Sequence, residues 1–189
     1  MKEIRTIRKL TTMGILAAVS VILVYLIHFP ILPAASFLEY DPADIPIFLC
    51  TFLFGPASGF LLTVAVSIVQ GLTVSSQSGI IGILMHIFAT GAFTLSAGLI
   101  YKYHRNKKSA ILALVVGVLI MTASMAIWNI IFTPIFSGMP RSAVIAMLPT
   151  AILPFNIIKS GVNAAVTFIL YKKLSRFVFQ KGHQKDLDM

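Results

Sequence analysis

Toward the C-terminus, Asn156, Lys159, Ser160, Asn163 and Thr167 fall at i, i+3, i+4, i+7 and i+11 within an otherwise apolar stretch, the spacing of one face of an α-helix. Amides, hydroxyls and one cation on such a face hold ligands by hydrogen bonds and charge. Lys159 stands about nine residues inside that stretch, and at such a depth in a membrane a lysine costs a few kcal/mol unless it faces a cavity or a partner. The plainer alternative is a structural lysine, paired with a carboxylate or snorkelling outward. His86 with Thr90 and Thr94, and Asn129 on a further stretch, could face the same space, although a single Asn or Thr in a membrane helix is often only an interhelical hydrogen bond. Trp128 suits an interfacial anchor better than a stacking partner. Gln70, Gln77 and the serines around them mark a polar, uncharged loop. A cavity walled by Leu, Ile, Phe and Met with a few convergent polar groups suits a small amphipathic ligand. A bare ion would want denser oxygen ligands.

Motifs for other chemistries are missing. The sequence contains no GxxxxGK[ST] phosphate loop, no HExxH, no GxSxG and no paired Cys/His set, so nucleotide hydrolysis by a phosphate loop and the common hydrolase chemistries have no residues to carry them. Cys50 is the only cysteine, which rules out an intrachain disulfide and a cysteine metal cluster. The carboxylates stand near the N-terminus, in the segment His28 to Asp44 and in the tail, so no buried acid is expected for a proton relay. No doubled helix set of the inverted-repeat kind is visible.

These residues must be positioned by membrane helices. Of 189 residues, 58% are hydrophobic and 11% charged, and the mean hydropathy is +0.93, far from the balance of a water-soluble domain. The net charge of +9 would suggest nucleic acid in a soluble chain, but 13 of the 15 basic residues lie in three short segments: residues 2–9, 102–108 and 172–185. By the positive-inside rule all three are cytoplasmic and no nucleic-acid partner is implied. The run Leu10 to Phe29 is too long for a typical signal-peptide core. Ile45 to Leu72 carries no charge and is interrupted by Gly55-Pro56, a turn signal. Parity then decides: only two passes through this run return Lys102 to Lys108 to the inside.

The expectation is an all-α, polytopic membrane protein forming one domain, with six transmembrane helices at about 10–29, 43–54, 57–73, 79–101, 109–133 and 149–175, both termini inside, and a cytoplasmic tail over 176–189. The second helix, at roughly 18 Å, is too short to span. The outer segment His28 to Asp44, with three of the six acidic residues, is therefore expected to dip in as a lid over the cavity, since irregular backbone at that depth needs protein or water against it.

The stretch Phe37-Leu38-Glu39-Tyr40-Asp41-Pro42-Ala43-Asp44-Ile45-Pro46, followed by Gly55-Pro56-x-x-Gly59, resembles the substrate-binding S components of energy-coupling factor (ECF) transporters, most closely their riboflavin-specific members in Gram-positive bacteria. The resemblance covers nearly the whole chain. It implies a non-enzymatic protein of the bacterial cell membrane that captures riboflavin as a transported ligand, without a cofactor or metal, and works with a transmembrane coupling subunit and two cytoplasmic ATPase subunits. Riboflavin suits the cavity, because apolar side chains can cover its ring while Glu39, Asn129, Lys159 and Asn163 meet its polar edge and ribityl hydroxyls; Tyr40, Asp41, Gln77 and His86 complete the expected ligand set. Gly14 and Ala18, with Ala17 alongside, match the small residues that contact the coupling subunit in that family. An S component for another vitamin, a stand-alone secondary carrier, and a membrane-embedded enzyme using His86 or Lys159 as base remain as alternatives.

Overall fold

A helix without a polar face has nothing to offer water and must be enclosed by others. Asp44–Phe54 is that helix here: every residue from Asp44 to Leu53 is buried. We call it α2, and in the computed structural model, which describes residues 2–32, 35, 37–74 and 79–179, it packs against α1 (Lys2–Leu26), α3 (Pro56–Leu72), α4 (Gly79–Tyr103) and α7 (Leu153–Phe179). Its 11 residues reach only about 16 Å, a length set by its place inside the bundle. Gly55 joins it to α3 with φ +92°, a conformation open mainly to glycine, and Pro56 opens α3, where a missing N–H is harmless. The hairpin closes tightly, since a Cβ on Gly59 would strike the Thr51 side chain, and one on Gly98 of α4 would lie 2.8 Å from Pro56 Cα.

Among the described residues, four helical stretches are long and apolar enough to cross a membrane: Thr6–Leu26, Gly79–Tyr103, Lys107–Ser137 and Arg141–Tyr171. Outward-facing Leu61, Leu119, Ile127 and Ile169 are each more than half exposed, which suits contact with lipid and not with water.

The element bounds differ from expectation where backbone geometry outweighs hydropathy. Helix α1 begins at Lys2 and not near residue 10, because polar residues propagate a helix as well as apolar ones, and it stops at Leu26, ahead of Pro30. Helix α5 (Lys107–Ser137) runs through Pro134 to a left-handed Gly138 cap; in a last turn the proline removes a single bond. The final helix is expected from 149, but the chain is already helical over Arg141–Met147 (α6) and passes into α7 through a π-helical turn, Leu148–Ile152. There the Leu153 N–H donates to the Leu148 carbonyl, five residues back, a wider turn that accommodates Pro149.

Between α1 and α2 the segment expected as a lid adds a strand pair to the mostly helical described residues: β1 (Phe29–Pro30) lies antiparallel to β2 (Glu39–Tyr40), with Phe29 opposite Tyr40. Ala35 and Leu38 are buried on the shelf made by Val144, Ala151, Ile152 and Phe155. Phe37 meets Phe136 of α5 edge-on at 6.2 Å.

Candidate functional site

A cavity of about 200 Å³ is bounded by Leu38 and Glu39 of the expected lid segment and by residues of α2, α3, α4, α5 and α7. Met85, Ala89, Met121, Met125, Phe136 and Phe155 give it an apolar lining. Polar groups enter from two sides, one made by the lid with α5 and α7, the other by α2, α3 and α4.

On the first side the polar face of α7 is in place, and it is joined to the lid. Lys159 Nζ lies 2.6 Å from Asp41 Oδ2 and 3.3 Å from the Glu39 carbonyl. The other Asp41 oxygen accepts the Ala43 N–H at 3.0 Å, so one carboxylate both turns the chain into α2 and receives the cation. Asn163 Nδ2 donates to the Asp41 carbonyl at 3.1 Å, while its Oδ1 accepts from the Tyr40 hydroxyl, also at 3.1 Å. Burial first, and the neighbouring Asp41 charge second, raise the Tyr40 pKa, which keeps that hydroxyl protonated as a donor. These four contacts form a clasp between lid and helix.

The second side departs from expectation. Asp44 belongs to the start of α2 and not to the lid; it is 0% exposed, which corrects the expectation that the membrane domain holds no buried acid. Its Oδ1 accepts from Thr90 at 2.9 Å and lies 3.1 Å from His86 Nε2. His86 Nδ1 is 2.7 Å from Ser67 Oγ. These are the residue types of a nucleophilic triad, but the Ser67 hydroxyl hydrogen is directed to the Thr63 carbonyl at 2.6 Å. Ser67 Oγ is thus left to accept from Nδ1, and Asp44 Oδ2, which takes part in neither contact, is left without a partner among the described residues. A serine whose proton is committed to a carbonyl is not an activated nucleophile.

Of the expected ligand residues, Glu39, Asp41, His86, Asn129 and Lys159 line the cavity. Tyr40 and Asn163 do not; they serve the clasp. Gln77 lies outside the described residues. Asp44, Ser67, Gln70 and Asn156 line the wall as well and are absent from the expected set. The i, i+4, i+7 spacing of Thr63, Ser67 and Gln70, facing His86 and Thr90 at i, i+4, was the signal that could have found two of them, Ser67 and Gln70. Trp128 is half-buried and does not line the cavity, its ring centroid lying 4.4 Å from that of Phe88 and 5.4 Å from that of Phe132. On α1, Met13, Leu16, Ser20 and Val24 face the bundle, whereas Gly14 and Ala18 are exposed and Ala17 is half-buried.

The family of the ECF transporter, substrate-specific component, matches residues 8–171. The riboflavin transporter RibU of Staphylococcus aureus (strain TCH60) is 32% identical over 177 residues, covering 90% of this chain and 92% of that protein. The riboflavin transporter FmnP of Bacillus subtilis (strain 168) is 25% identical over 183 residues, 93% of this chain and 96% of its own. Among solved structures, the S component of a bacterial ECF transporter superposes with a TM-score of 0.79 at 31% identity, covering 92% of this chain and 98% of that one. The S component for biotin from an ECF-type ABC transporter shares the fold, with a TM-score of 0.61 at 19% identity over 91% of this chain and 95% of its own.

Proposed function

The chain belongs to the family of substrate-specific components of ECF transporters, and from that premise we propose that it captures riboflavin from outside the cell for ATP-driven uptake. It is a multi-pass protein of the cell membrane whose class is transport. The observation that carries the ligand assignment is the lidded cavity: an apolar lining between two groups of polar side chains fits a planar ring system with a polar edge and a hydroxylated chain. The names of the relatives point the same way.

In this reading α2 and α3 complete six membrane segments with the four long helices, both termini are cytoplasmic, and the strand-paired segment between α1 and α2 closes the pocket from outside. Energy comes from a coupling subunit and two cytoplasmic ATPases. The exposed Gly14 and Ala18 on α1 support a docking face there, since a Cβ at Gly14 meets nothing within 4 Å and small residues let a partner helix approach closely.

Protein purified from a riboflavin-replete host is expected to carry the visible absorption bands of a flavin, and ligand-free protein to quench added riboflavin stoichiometrically. Binding of a different vitamin with no response to riboflavin would overturn the ligand assignment and leave the family intact.

A further inference from the structure

We propose that Asp44 Oδ2 and Gln70 Nε2 form the subsite for the polyol chain of the ligand, the carboxylate accepting from a hydroxyl and the amide donating to a hydroxyl of the same chain. This rests on riboflavin being the ligand. Among the described residues, three buried side-chain polar atoms have no hydrogen-bond partner: Asp44 Oδ2, Gln70 Nε2 and Thr122 Oγ1. The first two belong to residues that line the cavity and the third does not. Orphaned buried groups cost free energy, and two of them on one wall mark a place where a ligand supplies partners.

Asp44 cannot turn away to find another partner. Thr90 and His86 hold its other oxygen, and the residue before it is fixed by the Ser20 hydroxyl, which donates to the Ala43 carbonyl at 2.5 Å. One acceptor and one donor ask for a group that gives and takes hydrogen bonds at once, which a hydroxyl does. A lone carbonyl would serve only Gln70, and a cation only Asp44. The imide edge of a flavin ring also offers a donor beside acceptors, but the amides Asn129 and Asn156 answer that edge from α5 and α7. Each spends one N–H on a carbonyl of its own helix, Met125 and Ile152, and keeps a second to donate.

The test compares riboflavin with lumiflavin, which has the same ring system and a methyl group in place of the ribityl chain, by equilibrium fluorescence quenching on wild-type protein, Asp44→Asn and Gln70→Met. Wild type is expected to bind both. Each variant is expected to lose riboflavin affinity by on the order of tenfold or more and to keep its lumiflavin affinity. Equal losses for the two ligands, in variants that melt like wild type, would overturn the polyol assignment, and unchanged riboflavin affinity would remove these residues from the site. If Asp44→Asn fails to fold because the His86 contact is lost, Gln70→Met decides alone, since the Gln70 side chain makes no hydrogen bond to another described residue. Wild type that binds no riboflavin would instead reject the ligand assignment on which the subsite rests.

Discussion

Lys159 joins the cavity wall to the segment between α1 and α2. The residue lines the cavity and its Nζ lies 2.6 Å from Asp41 Oδ2, so removing it deprives a largely buried carboxylate of its cation. Lys159→Met is expected to weaken riboflavin binding by about 1–3 kcal/mol and to speed release. Asn163→Leu separates the two roles, because Asn163 holds Tyr40 and the Asp41 carbonyl without lining the cavity. Its effect is expected in the release rate measured by stopped-flow fluorescence, with a smaller change in the ring-binding step. Unchanged release in both variants would mean that the clasp does not hold the lid. Glu39 is exposed and engages Lys159 through its carbonyl, so Glu39→Ala is expected to change affinity less than Lys159→Met.

At the scale of elements, α1 divides its circumference between the bundle and the outside. Met13, Leu16, Ser20 and Val24 are buried, and the face with Gly14 and Ala18 is left open. Both positions are exposed and a Cβ at Gly14 meets nothing within 4 Å, so replacing both with Leu is expected not to overpack the bundle. The expected outcome is riboflavin affinity and melting temperature like wild type together with abolished uptake in cells carrying the other transporter subunits. Retained uptake would move the docking face elsewhere, and lost binding would show that this face packs within the protein. The shelf formed by α6, the π-turn and the start of α7 packs against the segment between α1 and α2, burying Ala35 and Leu38.

Across the whole molecule, the proposed orientation follows from the distribution of basic residues. With six segments and cytoplasmic termini, a cysteine at Ser137, at the end of α5, is expected to react with an impermeant thiol reagent in intact cells, and one at His104, between α4 and α5, to react only after permeabilisation. His104 is exposed and a better probe than Asn106, whose side chain accepts the Ser109 N–H at 2.8 Å and caps α5. Labelling of His104→Cys from outside would overturn the six-segment count.

The class of the protein, its long apolar helices and the polar face of its last helix were legible in the sequence because each is a local property: a bilayer demands apolar length, basic flanks set orientation, and periodicity of 3.6 marks a face. Even the turn at Gly55-Pro56 is written in two adjacent residues. The fate of the charged groups was not. Asp44 reads as one more acid of an outer loop until the fold sets it against His86 and Thr90, 42 and 46 residues away, and Lys159 finds Asp41 only across 118 residues. Whether a buried charge is a liability, a clasp or a ligand group depends on what stands within hydrogen-bond reach, and that distance is fixed by how α2 is enclosed by its neighbours, which no local pattern encodes.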